Sequence, residues 1–412
     1  MKSKTLRIIA LSLTITIAVS VNAQSQTNYN VGAHYYAWYD QWFHLGPHKT
    51  IRKHLVPSQS PQLGWYDSND SNIISQHYDM ARYAGIDYFT VSWWGQGSKD
   101  DNVFKNVMID HPNRGNIKLC VMLESNINNS NVYSQMYYLA SNYFSKPGYY
   151  KINGKPVVYV YQTRTRSKSD LQDFVNKMRQ AASAAGFNDI YIVGDEIWSD
   201  SNGQWYYFTF KYDESRISFF DAITNYDVYG YIREMNDYNT GSSGRYVTSS
   251  DLNNWNSWNA RWKSEANSRG VNFIPGIFPG YDDEAVRDES ATQPISRKLD
   301  NNNSEFGSLF AGQISRVKDD TDSDIGNAIS ITSWNEWFED TQIEPVATGT
   351  ATTNIDDSPS GNEYTGGLYF EAYGNRYLDI LRQELVPEPG SLVIMVFTLG
   401  ILRRAALRSK CN

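Results

Sequence analysis

Between residues 30 and 334 the chain repeats one motif: an apolar, β-branched or aromatic run, then a polar loop, then in most intervals a helical pattern. The runs are Asn30–Trp38, Ile86–Trp94, Lys118–Ser125, Val157–Gln162, Ile190–Glu196, Asp221–Tyr226, Asn272–Phe278 and Ala328–Trp334. Ile74, Tyr78 and Ala81 share one face of a helix over 71–83 that Gly85 stops. Leu171, Phe174, Val175 and Met178 do the same over 170–185, before Gly186, and 368–384 reads as a closing helix. Near-continuous apolar strands alternating with helices predict a parallel sheet covered on both faces. Eight of them predict an α/β protein of the (β/α)₈ TIM-barrel type, with a doubly wound open sheet as the alternative. The interval 205–220 has no clear helix and is the weakest link. A barrel places its chemistry just after strand ends.

The two ends lie outside this pattern. Residues 1–23 read as a signal peptide: Lys2, Lys4 and Arg7, an apolar run over 8–21, then Val21-Asn22-Ala23. An uncleaved anchor is the alternative, but the run is short of the ~20 residues a spanning helix needs. At the other end Pro387-Glu388-Pro389 precedes an apolar stretch over 391–402 and then Arg403, Arg404, Arg408 and Lys410. That order resembles the PEP-CTERM sorting tag of Gram-negative bacteria, which implies an exosortase as processing partner and transient membrane contact through the tail. A simple C-terminal transmembrane tail is the alternative. The chain therefore divides into a signal peptide (1–23), a single barrel domain (24–386) and a sorting or anchor segment (387–412), and is expected at the cell surface, in the outer envelope or secreted.

The whole chain carries a net charge of -8. Without the +3 of residues 1–23 and the net +3 of residues 387–412, the segment 24–386 stands at -14. This acidity argues against nucleic acid as a partner, and a mean hydropathy of -0.54 excludes a polytopic membrane protein. Of the two cysteines, Cys411 lies in the tail, so Cys120, inside the third strand run, is expected to be a buried, inert thiol.

The strand ends are rich in acids and aromatic rings. The eighth run leads into Trp334-Asn335-Glu336-Trp337-Phe338-Glu339-Asp340, where a turning backbone can bring Glu336 and Glu339 to one face. Two carboxyl groups beside one reacting centre divide acid and base roles when their surroundings hold them at different protonation states. Solvated loop charges are the alternative. Trp334 and Trp337 favour the first reading, because aromatic walls desolvate carboxylates and stack on sugar rings. Other strand ends carry His34-Tyr35-Tyr36-Ala37-Trp38-Tyr39, Ser92-Trp93-Trp94-Gly95, Leu123-Glu124-Ser125, Asp195-Glu196, Asn225-Tyr226-Asp227 and Tyr281-Asp282-Asp283. Flat apolar faces with carboxylates on one rim suit a glycosidase.

Residues 31–386 resemble glycoside hydrolase family 99, the endo-acting α-mannosidases and α-mannanases. The matching pieces are 34–39, 87–95, Pro279-Gly280-Tyr281-Asp282-Asp283 through Arg287, and most specifically Trp334-Asn335-Glu336-Trp337-x-Glu339-x-Thr341-Gln342-Ile343-Glu344-Pro345. The resemblance implies a (β/α)₈ barrel, retention of anomeric configuration, and neither metal nor other cofactor. It makes Glu336 the base that takes the proton of the sugar's own 2-hydroxyl, giving a 1,2-anhydro sugar. Glu339 becomes the acid that protonates the leaving oxygen and later activates water. Glu124, Trp94, Tyr36 and Tyr226 become substrate-binding residues, with Tyr229 competing for the place of Tyr226, and Tyr281, Asn335 and Trp337 join them. The family pattern has His and Gly where this chain has Phe338 and Asp340, changes expected to alter substrate or pH optimum without removing either carboxylate.

Other signals carry less. Asp320-x-Asp322-x-Asp324 lacks the Gly and Glu of a calcium loop and reads as a solvated loop. His34, His44, His48 and His54 cluster near the first strand, where one or two could bind substrate, but without metal-ligand spacing. The leading expectation is an exported endo-acting retaining glycoside hydrolase that cuts α-mannosidic linkages in a polysaccharide or glycan. A non-catalytic glycan-binding protein on the same barrel and a structural matrix component are the rivals. The intact carboxyl pair speaks against the first rival, and the absence of repeats against the second.

Overall fold

The computed structural model describes residues 28–40, 50–197, 213–230, 245–287 and 294–386. The proposed signal peptide and sorting tail, with His44 and His48, lie outside these residues. Eight strand positions follow one another: β1 (Asn30–Tyr35), β2 (Tyr88–Trp93), β3 (Lys118–Leu123), β4 (Lys155–Val160), β5 (Tyr191–Asp195), β6 (Ala222–Thr224), β7 (Asn272–Ile274, continued by Gly276–Ile277) and β8 (Ala328–Ile331). Each pairs in parallel with the next from β1 to β7. Closure comes from β7. Pro275 divides it, yet its first half pairs with β6 and its second half with β8, which pairs in turn with β1.

Helices fill the crossovers: α1 (Ser71–Ala84), α2 (Lys99–Val103, extended by Phe104–Met108), α3 (Val132–Asn142), α4 (Lys168–Ala184), α5 (Ser249–Asn267), α6 (Ser308–Val317) and α7 (Arg376–Leu385). The fold is thus a (β/α)₈ barrel. The weak interval before β6 carries only a short 3₁₀ turn, Glu214–Phe219, among its described residues. Asp70 caps α1 through the Asn72 N–H, and Gly85 ends it at φ 76°, a conformation open to a residue without Cβ. The closing helix is shorter than expected. Phe370 is tied in extended conformation to Thr353, and Gly374 turns at φ 55° before α7 begins. α7 buries Tyr377, Leu378, Leu381 and Leu385, each leucine worth roughly 1.5–3 kcal/mol when fully removed from water.

The strands are buried almost throughout, as expected of a sheet covered on both faces. Gly32 on β1 is required by contact: a Cβ there would lie 2.1 Å from the Tyr88 ring. His34 bonds Ser330 at 3.1 Å and meets Tyr159 and Tyr226 edge-on. Burial lowers its pKa to about 3, so it stays neutral. His54 pairs instead with Asp357 at the surface. Among the described residues no helix is long and apolar enough to cross a membrane.

Candidate active site

The carboxyl pair stands on a closed loop after β8. The Ser333 N–H donates to the Thr341 carbonyl, and the Ile343 and Glu344 N–H groups return to Ser333 and Trp334. Glu336 and Glu339 are thereby carried at the tip of a loop whose two ends are fastened together. Ser333 Oγ accepts the Glu336 N–H at 2.7 Å, and the Glu339 carbonyl accepts the Asp282 N–H at 2.8 Å, joining this loop to the one after β7.

Both carboxyl groups line one cavity of about 360 Å³, with Trp38, Trp94, Asp100, Val286, Arg287 and Phe338. These residues follow β1, β2, β7 and β8, so the cavity opens at the rim where a barrel keeps its chemistry. Trp38 stands 6.2 Å from Trp94 and 6.1 Å from Phe338, ring centre to ring centre, which makes three neighbouring aromatic faces. Around them, Tyr36 and Tyr226 share a hydroxyl–hydroxyl hydrogen bond. Burial raises the Tyr36 pKa first, followed by the charges of Glu336, Glu124 and Glu339, which places this tyrosine among all three acids. Both Tyr226 and Tyr229 stand near the pair: Tyr226 meets the Tyr36 hydroxyl, and Tyr229 donates its hydroxyl to Glu339 at 3.2 Å.

The acids are held above their ordinary range. Burial pushes Glu124, which accepts the Ser92 hydroxyl at 2.7 Å, up to about 8. Burial and then the neighbouring Glu339 raise Glu336 well above the usual value, opposed by one Phe338 N–H. Burial raises Glu339 to about 7, and Arg287, whose guanidinium donates to it at 2.9 Å, acts to lower it. The pair therefore titrates as one unit. As folded, its more readily ionised member is Glu339, because two donors favour its charged form.

Four residues expected at the cavity as contacts or aromatic walls are elsewhere. Trp337 is fully buried, with its indole N–H on Glu344 at 2.8 Å and its ring facing Trp65. Trp334 is equally buried, against His77 and Phe89. Neither forms a wall of the cavity; Trp38, Trp94 and Phe338 do. Asn335 exchanges two hydrogen bonds with the Tyr36 backbone, at 2.7 and 2.9 Å, and holds the ends of β1 and β8 together. Tyr281 stacks on Tyr229 at 3.9 Å and donates to Asp283, so it supports the cavity from behind.

The two departures from the family pattern point opposite ways. Phe338 enters the cavity, whereas Asp340 is buried behind the loop between Arg52 and Arg297. The Asp320–Asp324 segment is only partly solvated: Asp324 is exposed, whereas Asp320 and Asp322 are buried, and Asp322 accepts the Phe273 N–H at 2.8 Å. Cys120 is buried, and burial pushes its thiol up to about 12. Among the described residues no group of three or more His, Cys, Asp or Glu is placed to hold a metal. Trp38, Asp100 and Arg287 were not singled out as site residues from sequence. The i, i+4 pairing of Arg287 with Asp283 was the available signal for one of them.

The model of Glycosyl hydrolase family 99 matches residues 43–370. Glycoprotein endo-alpha-1,2-mannosidase of Rattus norvegicus is 26% identical over 353 residues, spanning 77% of this chain and 68% of that protein. Its Xenopus laevis counterpart is 25% identical over 352 residues, spanning 77% and 70%. The solved structure of a family 99 endo-alpha-mannosidase from Bacteroides thetaiotaomicron superposes with a TM-score of 0.55 at 20% identity, over 86% of this chain and 98% of that one. At that identity the superposition speaks for the fold.

Proposed function

The chain belongs to glycosyl hydrolase family 99, and from that footing we propose that it cleaves α-mannosidic linkages within a polysaccharide or glycan chain, with Glu336 and Glu339 as its reacting pair. The observation that carries this reading is the placement of both carboxyl groups in one aromatic-walled cavity, each raised by burial and coupled to the other. Such a pair can hold one proton and pass it between acid and base roles.

In the proposed reaction the sugar lies against Trp94 and its aromatic neighbours, near Glu124, Tyr36 and Tyr226. Glu336 takes the 2-hydroxyl proton as that oxygen attacks C1, while Glu339 gives its proton to the departing oxygen. A 1,2-anhydro sugar results. Water, deprotonated by Glu339, then attacks C1 as the C1–O2 bond breaks and Glu336 returns its proton to the 2-oxygen, with net retention and both carboxyl groups restored. As folded, Arg287 and Tyr229 favour the charge on Glu339. The reaction needs that charge on Glu336, so the bound sugar must shift the shared proton. Export through residues 1–23 and sorting through residues 387–412, with an exosortase as partner, belong to the same proposal. They put the enzyme on the surface of a Gram-negative cell or outside it.

The test is release of oligosaccharides from a panel of α-mannans by wild type, Glu336→Gln and Glu339→Gln. Wild type should cut within the chain, and each variant should lose about 10²–10⁴-fold in kcat, the usual worth of a positioned acid or base. A wild type that binds a mannan of the panel yet releases nothing would overturn the proposal.

A further inference from the structure

Asp340 lies one residue beyond Glu339 and adopts φ 46°, a left-handed conformation that a side chain rarely takes unless something holds it there. The holding groups are present. Arg52 Nε donates to Asp340 Oδ1 at 2.7 Å and its Nη2 to Oδ2 at 3.3 Å. Arg297 Nε donates to Oδ2 at 3.0 Å, and its Nη2 reaches the Asp340 and Gln342 carbonyls at 2.6 and 3.1 Å. The Gln342 amide adds a donor to Oδ1 at 2.9 Å. Both arginines are buried and lie over aromatic rings, Arg52 over Phe370 and Tyr373, Arg297 over Tyr373 and Tyr377. Arg52 comes from a single helical turn, Ile51–His54, between β1 and α1, and Arg297 from a short strand, Ile295–Leu299, between β7 and α6. Three separate stretches of chain therefore meet on one carboxylate behind the reacting loop.

We propose that Arg52, Asp340 and Arg297 form a positioning clamp that fixes where Glu339 stands in the cavity. None of the three lines the cavity. The effect passes along the backbone: the clamp holds the residue after Glu339, and the Asp282 N–H holds the Glu339 carbonyl. Freed on one side, the Glu339 carboxyl would drift from the line of the leaving oxygen, and a misplacement of about 1 Å costs on the order of 10²-fold in rate. This inference rests on the proposed reaction for its kinetic reading, but its structural reading stands without it.

Asp340→Asn keeps the size and tolerates the left-handed backbone, but removes the charge both arginines need. Crystal structures of wild type and Asp340→Asn should show the Glu339 carboxyl displaced by about 1 Å or more; an unmoved Glu339 overturns the clamp whether or not any substrate is cut. On a mannan that wild type hydrolyses, the variant should lose about 10-fold or more in kcat with KM within about 2-fold. A loss confined to KM, or none, also overturns it. A wild type that cuts nothing defeats the functional proposal and leaves the structural measurement to decide this one. Should Asp340→Asn fail to fold, Arg297→Lys, which keeps the charge but loses the two carbonyl contacts, gives the same two readings at a smaller displacement and a several-fold loss in kcat.

Discussion

The rims after β2 and β8 use the same residue types to opposite ends. At the end of β2, Trp93 is buried with its indole N–H on Asp101 at 3.0 Å, while the next residue, Trp94, faces the cavity. After β8, Trp337 is buried with its indole N–H on Glu344 at 2.8 Å, while the next residue, Phe338, faces the cavity. Each rim also has a carboxylate saturated with donors. Asp101 accepts from Trp93, Gly97, Tyr138 and Tyr143, and Glu344 from Tyr66, His77 and Trp337. The acids in and beside the cavity are served less well: Glu336 by one N–H, Glu339 by Arg287 and Tyr229, and Glu124, which stands beside the cavity, by one hydroxyl. The number of donors, more than residue type or burial, separates an acid that holds the fold from an acid available for chemistry.

The largest effect on stability should therefore come from a saturated acid. Glu344→Ala strands the Trp337 indole N–H, the Tyr66 hydroxyl and His77 in the core, and should cost about 3 kcal/mol in urea unfolding. Glu336→Gln, at an equally buried position, should stay within about 1 kcal/mol of wild type. Equal losses from the two would break the distinction.

A smaller effect tests the cost of an under-served acid. Glu124 has a folded-state pKa of about 8, raised by burial and by Asp100, Glu339 and Asp195, and lowered by Ser92. In the unfolded chain it ionises near about 4.3. A raised folded-state value means its contribution is intact below that point and is lost as pH climbs towards 8. Glu124→Gln cannot ionise. The variant should gain on wild type between pH 4.5 and pH 8, reaching on the order of 2 kcal/mol at the upper end. A difference that does not change with pH would show that Glu124 is better solvated than its surroundings indicate.

How far the sequence could reach follows from where periodicity ends. The eight strands were legible because apolar runs and helical faces have fixed periods. Every run nonetheless extended past its strand, as with Asn30–Trp38 against Asn30–Tyr35, because rim residues stay aromatic or apolar after pairing stops. The rim itself has no period. Whether Trp337 or Phe338 enters the cavity depends on Ser333, Thr341 and the Tyr39 hydroxyl that accepts the Trp337 N–H at 3.0 Å. None of these contacts can be read from spacing. Of the residues taken from the resemblance, Glu336, Glu339 and Trp94 line the cavity; Glu124, Tyr36 and Tyr226 lie close to its acids without lining it, and Asn335, Tyr281 and Trp337 pack behind it.

The finest test concerns the cavity acid that accepts from a cation, Glu339. Arg287 lowers Glu339, while Asp283 and Asp227 raise it and the Tyr229 hydroxyl lowers it, leaving a value of about 7. The profile of kcat/KM against pH reports ionisations of the free enzyme. Its acidic limb, where rate rises with pH, should follow the first ionisation of the coupled pair and fall near 7. Arg287→Met removes the guanidinium and with it the cation that offsets the charge of Asp283, its partner in an i, i+4 ion pair. Both changes disfavour a charge on Glu339, so the limb should move to higher pH by about one unit. An unmoved limb would assign that first ionisation to another acid, and donor number would then no longer explain which carboxyl in this cavity gives up its proton first.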